Sequence, residues 1–167
     1  MRVRKKVRFQ HAKGDIMEIE RKYLVTTPPE DYRTWEAVHM EQAYLCTAPV
    51  VRIRKENDEY FLTYKSKGLL AREEYNLPLT KEAYAHLLEK ADGIIITKTR
   101  YKKPIEGTDL VIELDVFSGE YEGLMLAEVE FSSIEDAEHF APPDWFGEDV
   151  TLSGEYQNSR LSQKKTK

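Results

Sequence analysis

The stretch Met17-Glu18-Ile19-Glu20-Arg21-Lys22-Tyr23-Leu24-Val25 decides the fold. Ile19, Tyr23 and Val25 share one parity; Glu18, Glu20, Lys22 and Leu24 share the other. A period of two is the mark of a half-buried strand, because successive side chains leave a strand on opposite sides. The polar side of this strand is charged at position after position, which an ordinary wetted face is not.

The same alternation recurs along the chain. Val51 and Ile53 alternate with Arg52 and Arg54, and Tyr60, Leu62 and Tyr64 with Phe61, Thr63 and Lys65. Ile112, Leu114 and Val116 alternate with Glu113, Asp115 and Phe117, and Ala127, Val129 and Phe131 with Glu128 and Glu130. Shorter strands fit Gln42–Leu45, Glu73–Leu77 and Ile94–Lys102. About eight strands without a strand-helix-strand rhythm predict a mainly antiparallel sheet in an α+β fold.

Helices are fewer. Thr27-Pro28-Pro29-Glu30 reads as a capping box opening a helix to about Val38. Thr80 caps a second, with Ala83, Leu87, Leu88 and Ala91 on one face and Gly93 ending it. Ser132-Ser133-Ile134-Glu135 starts a short third, stopped before Pro142-Pro143, and a last helix fits Tyr156–Gln163. Cys46 reads as a small buried residue, and Trp35 and Trp145 as packing residues.

The charges are segregated strand by strand. Acids pair at Glu18/Glu20, Glu113/Asp115 and Glu128/Glu130, with Glu74; bases pair at Arg52/Arg54 and Lys98/Arg100, with Lys22 and Lys65. Any one pair fits a solvated face. The whole set does not, since like charges facing each other destabilise a sheet. It suits a surface holding Mg²⁺ or Mn²⁺ with carboxylates and phosphoryl oxygens with Arg and Lys. About eight antiparallel strands can close into a barrel. With the charges inside, the apolar face would point outward, and the helices at about 28–38 and 80–91 could cover it.

Length and composition bound the answer. A chain of 167 residues fits one domain with a sizeable core. The formal net charge of −5 argues against nucleic acid as a partner. Residues 1–16 differ, with six basic side chains and one acid, and read as a basic, disordered extension ahead of a single domain over 17–167. Lys164, Lys165 and Lys167 form a solvated tail. No apolar run approaches the roughly 20 residues that span a membrane, and no secretory signal is present. One cysteine cannot form an internal disulfide, so a cytoplasmic setting is expected. The glycine loops that cradle phosphate in nucleotide-binding folds are absent.

The chain resembles a known family at several places in order. Glu18-Ile19-Glu20-Arg21-Lys22 is similar to the E-x-E-x-K signature of the CYTH, or triphosphate tunnel metalloenzyme, family. Val51-Arg52-Ile53-Arg54, Leu62-Thr63-Tyr64-Lys65, Arg72-Glu73-Glu74-Tyr75, Lys98-Thr99-Arg100-Tyr101, Glu113-Leu114-Asp115, Glu128-Val129-Glu130 and Tyr156-Gln157-Asn158-Ser159 follow, so the resemblance covers about residues 17–161. It implies an eight-stranded antiparallel barrel, a tunnel with flanking helices, that binds a small-molecule triphosphate and divalent metal, Mg²⁺ or Mn²⁺.

Carried over by position, Lys22, Arg52, Arg54, Lys65, Lys98 and Arg100 would grip the triphosphate. Glu18, Glu20, Glu74, Glu113, Asp115, Glu128 and Glu130 would hold metals or orient the bases, and Lys65 and Tyr44 are the catalytic candidates. The thirteen lumen charges, six bases and seven acids, carry a formal net of −1. Two residues depart from the family pattern: Asn76 stands where many members have a second acid, and Glu155 where many have a base.

The short form of the resemblance points to metal-dependent hydrolysis of inorganic tripolyphosphate to pyrophosphate and phosphate. The rivals are thiamine triphosphatase, nucleoside or RNA triphosphatase, class IV adenylyl cyclase, and a non-catalytic polyphosphate- or nucleotide-binding module. Oligomeric state is not legible.

Overall fold

The computed structural model describes residues 17–163; the expectations for residues 1–16 and the lysine tail lie outside them. Eight strands form the wall: β1 (Met17–Leu24), β2 (Glu36–Thr47), β3 (Val50–Glu56), β4 (Glu59–Lys65), β5 (Ala71–Leu79), β6 (Asp92–Pro104), β7 (Val111–Ser118) and β8 (Met125–Glu130). They close into a barrel in the order β1-β5-β4-β3-β2-β6-β7-β8, every neighbouring pair antiparallel.

The barrel is inverted relative to an ordinary small barrel, with its main apolar faces outside. Ile19 and Tyr23 of β1, Ile112 and Leu114 of β7, and Ala127 and Val129 of β8 are buried beneath the chain that follows β8, where Phe131, Ala137 and Phe146 pack on them. That segment contains α2 (Ile134–His139), whose Ser133 cap accepts a hydrogen bond from the Asp136 amide at 3.0 Å. On the opposite side, α1 (Lys81–Leu88) lays Tyr84 over Ala43 of β2 and Ile53 of β3. Thr80 caps α1 as expected, accepting from the Ala83 amide at 3.1 Å.

One end of the lumen is apolar. Ile96, Phe117 and Leu126 share parity with the charged residues of β6, β7 and β8, so they also point inward. They pack with Val150 and with Leu161 of α3 (Asn158–Leu161). This plug leaves the charged lumen above it.

Four local expectations are corrected. No helix forms over 28–38; one 3-10 turn at Tyr32–Thr34 is followed directly by β2. A helix of that length is marginal alone, whereas strand pairing of Glu36, Ala37 and Val38 with Lys102, Tyr101 and Arg100 satisfies the backbone along an existing edge. Cover on this side comes instead from Tyr32, edge-on to Tyr101 at 5.1 Å, and from Trp35 beside Trp145 at 6.2 Å. Cys46 is exposed, because a register irregularity between Tyr44 and Cys46 turns it outward at the rim. The last helix is only Asn158–Leu161. Finally, β2, β5 and β6 run longer than the apolar alternation alone marked.

Because Leu126 is fully buried in the plug, Leu126→Ala is expected to destabilise the protein by about 2–5 kcal/mol. Denaturant unfolding followed by circular dichroism measures it; a change under about 0.5 kcal/mol would mean the plug does not hold the barrel end.

Candidate functional site

The lumen is a cavity of about 240 Å³ lined by seven acids (Glu18, Glu20, Glu56, Glu74, Glu113, Glu128, Glu130) and seven bases (Lys22, Arg52, Arg54, Lys65, Arg72, Arg100, Lys102). Burying so many charges is tolerable only where they are paired or meet ligand. The pairing falls into three groups.

In the first, the Lys65 ammonium donates to both carboxylate oxygens of Glu18 at 2.7 and 2.8 Å and lies 2.9 Å from Glu74 Oε2. Arg72 Nε also donates to Glu18, at 3.1 Å. The strand register places this group: Glu18 faces Arg72 across β1 and β5, and Lys65 faces Glu74 across β4 and β5. Asn76 supports it, donating to Glu74 Oε1 at 2.5 Å and accepting from Thr63 Oγ1 at 2.6 Å. The position that departs from the family pattern therefore orients an acid instead of adding one.

In the second group, Lys22 Nζ lies 3.0 Å from Glu128 Oε1 and 3.8 Å from Glu20 Oε1. Arg100 donates to Glu128 Oε2 at 2.6 Å, to Asp115 Oδ1 at 2.7 Å and Oδ2 at 2.8 Å, and to Glu113. Asp115 also accepts from Lys98. In the third, Arg54 Nε lies 2.8 Å from Glu56, and Arg52 donates to the Gln42 amide oxygen at 3.0 Å. Arg52 Nε is buried with no hydrogen-bond partner among the described residues, and such a group is costly unless a ligand meets it.

The residues expected from sequence converge on this cavity with two exceptions: Lys98 and Asp115 lie on the inward parity but beneath the lumen wall, their side chains fully enclosed. Tyr44 lines the cavity beside Arg52, and Glu155 is exposed and does not line it. Glu56, Arg72 and Lys102 were missed, along with Gln42. The signal was present, since each missed charge lies two residues from an assigned one (Arg54, Glu74, Arg100) on the same face. With them the lumen wall is formally neutral rather than −1.

The electrostatics separate lowered acids from raised ones. Despite burial, Lys22, Arg100 and Lys98 hold the Glu128 carboxyl well below the usual range. Burial, with Glu20 next to it, pushes Glu18 up to about 7 against the pull of Lys65. Burial also pushes up Glu113, which has Glu128 and Asp115 near it, and Glu130, which faces Glu74, Glu113 and Glu20. Burial and neighbouring Arg52 lower Arg54 to about 10.

Hard carboxylate oxygens are the donor set that Mg²⁺ and Mn²⁺ take. Glu20, Glu113 and Glu130 fit that demand, and Glu130 has no ion pair among the described residues. Among the described residues no three acids are gathered closely enough to hold an ion as they stand, so binding would draw carboxylates together.

The CYTH domain family model matches residues 17–165. The chain belongs to the CYTH family. This CYTH domain is 42% identical over 150 residues to an inorganic triphosphatase of Nitrosomonas europaea, covering 88% of this chain and 97% of that protein. It is 37% identical over 152 residues to an inorganic triphosphatase of Acetivibrio thermocellus, covering 86% and 92%. A crystal structure of an inorganic triphosphatase superposes with a TM-score of 0.68 at 38% identity, over 90% of this chain and 97% of that one. The fold is shared more distantly with a putative adenylate cyclase of Bacillus halodurans, at a TM-score of 0.54 and 18% identity over 90% of this chain and 93% of that one. No helix among the described residues is long and apolar enough to cross a membrane.

The raised acids set the sign of a pH effect. A carboxyl whose folded pKa is above its unfolded value favours the folded state while protonated. That stability fades as pH rises from the unfolded value of about 4.3 through the folded one. Since Glu18, Glu113 and Glu130 are all raised, the chelator-treated domain is expected to melt at lower temperature at about pH 7 than at about pH 5. A melting series in which stability climbs over that interval would contradict the assignment.

Proposed function

We propose that this protein is a divalent-metal-dependent triphosphatase that hydrolyses inorganic tripolyphosphate to pyrophosphate and phosphate. The observation that carries the reading is the lumen itself, where seven bases and seven acids share one closed wall. The names of the relatives that cover nearly the whole domain agree with it.

In this reading Lys22, Arg52, Arg54, Lys65, Arg72, Arg100 and Lys102 face the phosphoryl oxygens. Arginine forks match such oxygens in pairs, and the unpartnered Nε of Arg52 has a donor to give. Glu18, Glu20, Glu113, Glu128 and Glu130 would hold Mg²⁺ or Mn²⁺, which when bound neutralises phosphoryl charge and lowers the pKa of bound water. Water adds to a terminal phosphorus, the bridging phosphorus–oxygen bond breaks, pyrophosphate leaves, and the water proton passes to solvent. The bases hold the charge that grows on the bridging oxygen, which is where fixed cations accelerate such reactions. Tyr44 and Lys65 would flank the phosphoryl group that is cleaved.

A specific feature favours an inorganic substrate over a nucleotide or thiamine ester: among the described residues lining the lumen, the one aromatic ring is that of Tyr44, which is 3% exposed and so offers little face for stacking an organic group. The free Cys46 at the rim fits a reducing, cytoplasmic setting.

Purified protein with Mg²⁺ or Mn²⁺ is expected to release phosphate from tripolyphosphate, with no release in excess chelator and slower release from ATP or thiamine triphosphate. Arg52→Ala should lower kcat/KM by about 10²-fold or more, and Glu130→Gln should raise the metal concentration giving half-maximal rate. No phosphate from tripolyphosphate with either metal would overturn the activity, and formation of cyclic AMP from ATP would redirect it.

A further inference from the structure

The acids of the lumen are not equivalent, and Asp115 stands apart. It is fully buried. Its Oδ1 accepts from Arg100 Nε, and its Oδ2 accepts from Arg100 Nη2 and from Lys98 Nζ. Lys98 is enclosed with it, its ammonium 5.3 Å from the centre of the Phe117 ring at the top of the plug. Neither side chain lines the cavity. Arg100 also donates from Nη1 to Glu113 and from Nη2 to Glu128, and both of those do line it.

We propose that Asp115 is a positioning residue that anchors Arg100, with Lys98 as its buried counter-ion, and that it does not ligate metal. The inference rests on the triphosphatase reading for what Arg100 binds, but not for where Asp115 points. The two kinds of acid have different freedom. Glu113 and Glu128 can turn to a cation in the lumen and so release Nη1 and one bond of Nη2 toward phosphoryl oxygen. Asp115 has no open side from which an ion could approach. It keeps its grip on Nε and Nη2, so the guanidinium stays aimed when its other partners leave. Lys98 then acts on the substrate only through Asp115, and its charge offsets the burial of an acid that would otherwise be opposed by Arg100 alone.

Removing one member of a buried pair leaves the other uncompensated, so the test removes both. Lys98→Met combined with Asp115→Leu fills the same space beside Phe117 with apolar atoms, and Asp115→Asn serves as a second variant that keeps the shape. Mn²⁺ binding, followed by electron paramagnetic resonance without substrate, is expected to change less than about twofold in either variant, and to weaken by about tenfold or more in Glu113→Gln. Tripolyphosphate KM should rise about tenfold or more in the double variant, with the half-saturating metal concentration unmoved. Adding the pair of changes to Arg100→Ala should cost nothing further, a coupling that a merely structural role would not produce.

Mn²⁺ binding weakened as much as in Glu113→Gln would make Asp115 a ligand and overturn the proposal. So would wild-type KM and kcat in the double variant, or full additivity with Arg100→Ala. The Mn²⁺ titration needs no turnover, so it decides Asp115 even if tripolyphosphate proves not to be the substrate.

Discussion

Everything in this molecule follows from mutual neutralisation inside a closed β-wall. A barrel that turns its charged face inward gives up the usual contribution of a packed lumen, and each buried charge must be met by its opposite or by a ligand. The ladder of antiparallel strands supplies the geometry. Positions facing each other across neighbouring strands bring Glu18 to Arg72 and Lys65 to Glu74, so these cations find acids without long loops to carry them. The same requirement forces the apolar side chains outward, where α1 and the segment after β8 must cover them.

The neutralisation is uneven, and that unevenness divides the labour. Glu128 is surrounded by cations and held low despite burial, whereas burial, with acids nearby, raises Glu18, Glu113 and Glu130 toward protonation. The acid-rich part calls for metal, and the Arg52–Arg54 strand opposite calls for anion. A metal and a polyanion entering together satisfy both at once, while either alone leaves one side short. The acidic net charge of the chain is therefore no bar to a phosphorylated ligand, since the lumen wall itself is formally neutral.

Much of this was legible in the sequence because a strand encodes its two faces in strict alternation. Parity placed Glu18, Glu20, Lys22, Arg52 and Arg54 on one wall, and the density of charge there hinted that the wall was not merely wet; the segregation of sign by strand does not hold, since Lys22 shares β1 with Glu18 and Glu20, and Glu56 shares β3 with Arg52 and Arg54. Parity says nothing of depth, however. Lys98 and Arg100 look equivalent in the chain, yet one is sealed beneath the other. Phe117 was visible on the charged face two residues from Asp115, but only the closed barrel shows it meeting Ile96 and Leu126 as a floor. The segment 28–38 misled for another reason. Its proline-rich capping box is a real local signal, but the open edge of β6 offered Glu36–Val38 long-range pairing that a short helix could not match.

The apolar floor also limits depth. Phe117, Leu126, Ile96 and Leu161 close the charged cavity on their side with packed hydrocarbon. An anion drawn into the lumen meets apolar groups at that end rather than further donors, so the floor sets how far in a polyanion can be pulled.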